Sequence, residues 1–276
     1  MHPSHERVIK LSNGGLVFGS WSNVVPGDEL FEPTGRPVKV LEVFKKRAEF
    51  FKVTFNDGTS TNVDADHIWQ VRRTGLGLGP RREWLITSTQ KIVDRRDEGT
   101  IPGDYLCVTR WATPVNNAVK FPAIKGDVER SYEVGRRCSM SGTPLTSAQL
   151  GAGVTSRSEL LVGIMDEGGY TERRAPRFKN DNEKMVQSVA QLVRSLGGWA
   201  QVIDNVCNIK VGKTRQLFRF VTLKSPMRRE LTMRTRYITY IQECGVSDGV
   251  GVITDSDHHL YLTDQFITTH DGETHG

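Results

Sequence analysis

His67 lies in Val63-Asp-Ala-Asp-His67-Ile-Trp69, next to a tryptophan. His270 ends the run Leu260-Tyr-Leu-Thr-Asp-Gln-Phe-Ile-Thr-Thr269-His270, and Asp271 follows it. Histidine is the side chain that takes and gives protons near neutral pH, so two of them carried by short strand-like runs suggest proton transfer at one spot. A second cluster, the carboxylates Asp166 and Glu167, closes the apolar run Leu160–Met165. The third feature is charge. Residues 171–236 hold fifteen Lys and Arg against five Asp and Glu, while the whole chain carries +5, so the remainder is net acidic. A confined basic segment is a candidate nucleic-acid surface, with Arg173, Arg174, Arg177, Lys179, Lys213, Arg215 and Arg219 as candidate contacts. A solvated basic face is the plainer alternative.

The elements that must position these residues fall into three stretches. Residues 8–70 read as short strands with close turns: Val8–Leu11 and Leu16–Phe18 flank Ser12-Asn-Gly-Gly15, and Phe50–Phe55 meets Thr59–Val63 across Asn56-Asp-Gly58. These are hairpin signals, and the absence of alternating helices argues for a folded-over β domain. A strand near Leu85, a short helix over Ser88–Asp97 and a strand over Asp104–Thr109 follow. The β pattern stops near Pro122. Val128–Met140 reads as a helix. Ser156-Arg-Ser-Glu159 has capping-box spacing before the apolar helix that ends at Asp166-Glu-Gly-Gly169. Asn182–Leu196 is amphipathic, with Val186, Val189, Val193 and Leu196 at helical spacing, and Gly197-Gly198 stops it. Strands are expected at Ala200–Ile203, Cys207–Val211 and Gln216–Leu223. Strand alternation resumes at Thr235–Gln242 and continues in Gly249–Thr254 and Leu260–Thr269.

Composition bounds the rest. With 37% hydrophobic and 25% charged residues, the chain reads as one or two globular domains. No apolar run approaches membrane-spanning length, and the first residues lack the apolar core of a secretory signal, so no membrane partner is expected. The four cysteines, Cys107, Cys138, Cys207 and Cys244, lack CxxC spacing and fit a reducing, cytoplasmic compartment.

Two blocks in family order carry a resemblance to inteins, the self-splicing Hint domains. Asp66-His67-x-Trp69 resembles an internal block. Asp255-Ser256, Leu260-Tyr-Leu-Thr and Phe266-Ile-Thr-Thr-His270 resemble the closing blocks of inteins from actinobacterial phages. Lys10-Leu-Ser-Asn-Gly-Gly-Leu-Val17 resembles the opening block Cys-Leu-x-x-Gly-Thr-x-Val. The resemblance implies a horseshoe-like, mostly β Hint fold, autocatalytic protein splicing, and catalytic roles for His67, Thr269, His270 and Asp271. It also implies a bacterial or phage-infected host cytoplasm.

The departures from that pattern concern the nucleophiles. Lys10 stands where the opening cysteine is expected, and a protonated lysine cannot form a thioester. One intein class starts instead from a cysteine in the penultimate block, with a tryptophan where Trp69 stands and a threonine where Thr269 stands. By spacing, that cysteine falls at Gly251. The terminal asparagine is Asp271, Gly272 offers no acceptor hydroxyl or thiol, and Asp64 replaces the usual threonine three residues before the block histidine. Splicing is therefore expected to be defective.

Leu161-Val-Gly-Ile-Met-Asp166-Glu-Gly-Gly169 resembles the LAGLIDADG motif of homing endonucleases, again with a departure: the eighth, metal-binding position is Gly168. That resemblance implies paired helices packed through small residues, Mg²⁺ held by acids such as Glu167 and Asp166, and a basic sheet on double-stranded DNA. A first motif copy is not visible between residues 110 and 150, which makes a homodimer the route to paired helices.

The sequence thus reads as a mostly β, discontinuous Hint domain, residues 1–125 and 233–276, with an inserted α+β LAGLIDADG-like domain, residues 126–232. The expected function is an intein-derived protein, defective in splicing and weak or inactive in DNA cleavage. The alternative is a free-standing, Mg²⁺-dependent homing endonuclease or DNA-binding protein acting as a homodimer. The start at Met1 and the end at Gly276, five residues past Asp271, favour a free-standing product over an insertion cut from a host, with a truncated gene fragment as the other reading.

Overall fold

A computed structural model describes residues 1–12, 15–74, 85–95, 97–98, 104–114, 118–122, 128–172, 175–210 and 235–270. The first stretch runs β1 (His2–Pro3), β2 (Arg7–Ser12), β3 (Gly15–Ser20), β4 (Glu29–Phe31), β5 (Pro37–Phe55), β6 (Ser60–Asp64), β7 (Ile68–Thr74), β8 (Leu85–Ser88), α1 (Thr89–Val93), β9 (Asp97–Glu98) and β10 (Asp104–Pro114). The middle holds α2 (Val128–Ser141), α3 (Ser147–Leu150), α4 (Val154–Gly168), β11 (Gly169–Glu172), β12 (Ala175–Lys179), α5 (Glu183–Ser195), β13 (Trp199–Ile203) and β14 (Val206–Lys210). The chain then closes with β15 (Thr235–Thr254), β16 (Leu260–Leu262) and β17 (Thr268–His270).

Among the described residues the first and last stretches share one 11-stranded sheet, with main path β3-β2-β4-β5-β15-β10-β7-β8. Its spine is β5 paired antiparallel with β15, in register from Phe55 opposite Ile238 to Val40 opposite Thr254. The sequence suggests two strands in each of these stretches, Val38–Val43 and Phe50–Phe55 in the first, Thr235–Gln242 and Gly249–Thr254 in the second; the chain makes one strand of 19 residues and one of 20. Three register shifts in that ladder bend the ribbon and let it curl. The turn Asn56–Gly58 is the hairpin its sequence announces: Gly58 takes φ +77, and Asp57 accepts from the Thr59 amide at 3.1 Å and hydroxyl at 2.6 Å. Asp57 also receives Nε of buried Arg236 at 2.7 Å. Burial alone would raise this carboxyl. The Arg236 charge and the Thr59 bonds outweigh that and hold it below its usual value.

The middle stretch is α+β. Its four-stranded antiparallel sheet has the order β11-β12-β14-β13 and packs one face on α4 and α5. The helix α2 lies against α4 so closely that a Cβ on Gly135 would sit 2.2 Å from the Leu160 carbonyl oxygen. One on Gly163 would sit 2.1 Å from that of Tyr132. Two glycines facing each other's backbone are what allow this approach. The paired helices expected from two chains are thus made within one. The sequence reads α2 as a helix but gives little sign of a partner, since apart from Val128, Tyr132, Val134, Gly135, Cys138 and Met140 it is polar.

Local corrections have plain causes. The helix α4 starts at Val154 with Gly153 as its cap and no side-chain cap bond, so Ser156 lies inside the helix and is not its cap. The capping box belongs to α3, where Thr146 and Gln149 bond reciprocally. Gln216–Leu223 lies outside the described residues. The two parts are not loosely joined: Ile9, Leu16, Phe31, Leu262 and Phe266 from the first and last stretches share a core with α4 and α5. Arg157, fully buried on α4, donates to Ala152 O at 2.8 Å and Ser195 O at 2.9 Å and also bonds Val119 O. Among the described residues no helix is long and apolar enough to cross a membrane.

Gly163→Ala is expected to lower stability by about 1–3 kcal/mol, because the added methyl meets backbone that cannot yield. Chemical denaturation measures this, and an unchanged midpoint would contradict the close helix approach.

Candidate functional site

The β6–β7 corner places His67. Its amide donates to Asp64 O at 3.1 Å, and its carbonyl accepts from the Thr89 amide at 2.9 Å, so the start of α1 fixes the corner from behind. Thr89 also accepts Nε1 of Trp69 at 3.0 Å. Trp69 is 1% exposed and presents its ring edge-on to His67, with centroids 4.9 Å apart. The second half of the site comes from the hairpin β16–β17, in which Tyr261 faces Thr269 and Leu260 faces His270. Thr269 Oγ1 and His67 Nε2 share a hydrogen bond between residues 202 apart in sequence.

The third component was missed in the sequence. The backbone nitrogen of Met1 lies 2.7 Å from Asp64 Oδ1 and 3.5 Å from His67 Nδ1. With Met1 N as donor to Nδ1, the ring proton sits on Nε2 and is donated to Thr269. Burial, opposed by Asp64, pushes the Met1 amine below its ordinary value. The next residue is equally enclosed. His2 is fully buried, stacks on Trp21 at 4.7 Å and meets the Tyr261 hydroxyl at 2.9 Å through Nε2. The His2-Pro3 pair ahead of the first hairpin carries no periodicity that marks it as buried.

Lys10 is not at the site. Its ammonium pairs with Asp28 at 2.7 Å and also donates to Asn23 O at 3.3 Å. Met1, and not Lys10, lies beside His67. Gly251 is where spacing put it, in the wall of a cleft of about 180 Å³ that also holds Met1, Phe44, Asp64, His67 and His270. A Cβ at residue 251 would point at Met1 Cγ, 2.9 Å away, and would strike the Phe44 ring at 2.1 Å. His270 is 8% exposed and stacks on His259 at 5.6 Å. Asp271 lies outside the described residues. A larger polar cavity, about 380 Å³, lies by the Asp264–Gln265 turn and holds none of these groups.

The nuclease-type residues are held otherwise than expected. Asp166 accepts the Tyr132 hydroxyl at 3.0 Å, and Glu167 accepts Nε and Nη2 of Arg136 at 3.2 and 3.1 Å. Both partners come from α2, so these carboxylates lock the helix pair. At Gly168 a Cβ would meet Ser139 Oγ at 2.4 Å and the Phe178 ring at 2.9 Å, which leaves no room for the missing acid. Among the described residues no three His, Cys, Asp or Glu side chains gather as a cation would need. These residues do not fit Mg²⁺.

Of the basic candidates, Arg177 and Lys179 lie on β12; Arg173, Arg174, Lys213, Arg215 and Arg219 are outside the described residues. Arg177 pairs with Glu172 at 2.5 Å. It belongs to a row that crosses the sheet in register: Tyr170, Arg177, Asn208, Gln201. Lys210, over the Trp199 ring at 4.3 Å, is two residues along the same strand face. Pro176, Phe178, Cys207, Ile209 and Ala200 point the other way, into the core. The period-2 alternation of Gln201, Asn208 and Lys210 with apolar residues was the legible signal for this face.

No protein-family model and no curated protein matches the chain. Among solved structures it is similar to the MchDnaB-1 intein, at 12% identity and TM-score 0.38 over 98% of this chain and 100% of that one. A similar likeness is found to the Msm DnaB1 intein splicing domain, at 13% identity and TM-score 0.38 over 98% and 100%. The third is the gp41-1 intein, at 11% identity and TM-score 0.36 over the same shares.

Burial holds His67 well below the usual histidine value of 6.5 and lowers His2 as well. The unfolded chain thus binds protons that the folded chain does not. The stability these rings contribute is present above 6.5 and is lost as pH falls below it. His67→Gln is expected to remove about one proton from the pH dependence of unfolding below about pH 6. Denaturation across that range measures it, and an unchanged slope would contradict a buried, neutral His67.

Proposed function

We propose that this chain is an intein-derived protein: a splicing-type Hint frame that does not splice, carrying a LAGLIDADG-like unit that binds duplex DNA without cutting it. The observation that carries the first half is His67. It is held between the nitrogen of Met1 and the hydroxyl of Thr269, backed by Trp69.

In a splicing reaction the nitrogen beside the block histidine is that of the first scissile amide, and the histidine delivers a proton to it as the bond breaks. His67 Nδ1 has the right neighbour for that transfer. The frame supplies proximity, which can account for much of such a rate. A nucleophile has to supply the rest. Lys10 is remote, residue 251 is a glycine whose side-chain space the Phe44 ring fills, and Gly272 offers no hydroxyl or thiol.

The second half rests on the sheet row Tyr170, Arg177, Asn208 and Gln201. A twisted four-stranded sheet backed by helices, with amide, guanidinium and aromatic side chains on its open face, suits phosphate and base-edge contacts. The Asp166–Tyr132 and Glu167–Arg136 bonds favour binding over cleavage. Because α2 covers the glycine face of α4, this reading needs no second copy of the chain.

With polypeptides fused at both ends, mass spectrometry after long incubation is expected to find the fusion intact; ligated flanks would overturn the splicing half. Duplex DNA binding should weaken steeply with salt. Arg177→Ala should reduce the magnitude of the logarithmic salt slope by about one. Binding that ignores salt would overturn the DNA half.

A further inference from the structure

The hairpin β16–β17 is too small to stand alone. Its strands have three residues each, and an isolated two-stranded pair is marginal in water. One backbone bridge, Val8 to Thr263, joins its turn to β2. The turn itself is awkward, since Phe266 takes φ +56, a left-handed conformation that costs a bulky residue free energy. Something must hold residues 263–267 if Thr269, two residues later, is to meet His67.

Two buried arginines do this. Arg236 on β15 donates to Phe266 O at 2.9 Å and to Gln265 O at 3.4 Å, while Asp57 balances its charge. Arg194 comes from the other part of the molecule, the last turn of α5. It is 5% exposed, donates Nη1 to Gln265 Oε1 at 2.8 Å, and is braced by Nη2 on Ala200 O at 2.9 Å. Burial lowers the Arg194 pKa to about 10, so the guanidinium stays charged and its position costs solvation that a purely local role would not require. Phe266 adds an apolar contact, seated in the core shared with α5 and tilted against Phe121 at 6.3 Å.

We infer that Arg194 is a positioning residue for the His67–Thr269 site: the α+β unit clamps the turn of the closing hairpin through the Arg194–Gln265 bond and so sets where Thr269 lies. The inference rests on reading His67 and Thr269 as the site. It goes beyond that reading in making the α+β unit part of the splicing-type frame and not a detachable passenger. A shift of β13 relative to α5, as when the sheet takes a load, reaches Thr269 through Ala200, Arg194 and Gln265.

The test is hydrogen exchange of the Thr268–His270 amides together with the nitrogen-15 signal of the His67 ring, in the full chain. Gln265→Ala removes the acceptor and leaves the helix intact. It is expected to speed exchange of those amides about ten-fold and to weaken the Nε2 proton signal of His67. Arg194→Met should have the same effect, and the double variant little more than either single one. Val189→Ala, buried on α5 and not part of the Arg194–Gln265 bond, controls for general loosening and should leave these amides unchanged. Exchange in Gln265→Ala that stays within about two-fold of the parent, or a Val189→Ala effect as large, would overturn the clamp. A parent protein without the Nε2 proton signal would instead overturn the site reading, and the amide exchange would still decide the clamp.

Discussion

The pairing of β5 with β15 is the constraint on which the molecule depends. Those strands lie nearly two hundred residues apart in sequence, and their ladder closes the first and last stretches into one sheet. Without it Met1, His67 and Thr269 would belong to separate pieces of chain. β1 pairs with β15 at Val250, beside Gly251, and β17 lies against β7, where Thr269 meets His67. The Arg236–Asp57 pair sits at one end of the ladder and ties the Asn56–Gly58 turn to the closing hairpin. Breaking one partner of such a buried pair leaves an uncompensated charge, which typically costs several kcal/mol.

Within that frame the site is ordered from the back. Thr89 holds both the carbonyl of His67 and the indole of Trp69. Trp69 sets the ring plane, and Thr269 takes the ring proton. Each group has a defined partner, which is the arrangement a proton-transfer site requires. Among the described residues, neither cysteine nor serine lines the cleft. The Phe44 ring occupies the space that a side chain at residue 251 would need.

Much of this was legible from residue types. The Asn-Asp-Gly hairpin, the amphipathic α5 with its glycine stop, and the β-rich ends around an α+β middle all follow from turn chemistry and periodicity. Elsewhere packing decides what local pattern does not show. Lys10 matched an opening motif by spacing, yet its ammonium is drawn to Asp28. Ser156 had the capping pattern, but the chain entered the helix two residues earlier, at Val154. Glu167 had a metal ligand's place and found Arg136 first. The helix α2 hid its role because the Gly135–Gly163 contact is made by backbone, and sequence does not display a carbonyl oxygen. His2 and Met1 were missed because a buried chain start has no periodicity to betray it.

The central claim is that the frame survives and only the nucleophile is gone, and restoring the nucleophile tests it most directly. With a polypeptide fused before Met1, the double variant Gly251→Cys with Phe44→Ala opens the space and places a thiol beside the Met1 nitrogen. The introduced sulfur would attack the carbonyl preceding Met1, and the amine would leave with a proton. An added small thiol would then displace the resulting thioester. The account predicts thiol-dependent cleavage before Met1 in the double variant, none with the native residues, and its loss when His67→Ala is added. Cleavage with the native residues, or a folded double variant that stays intact under thiol, would contradict it.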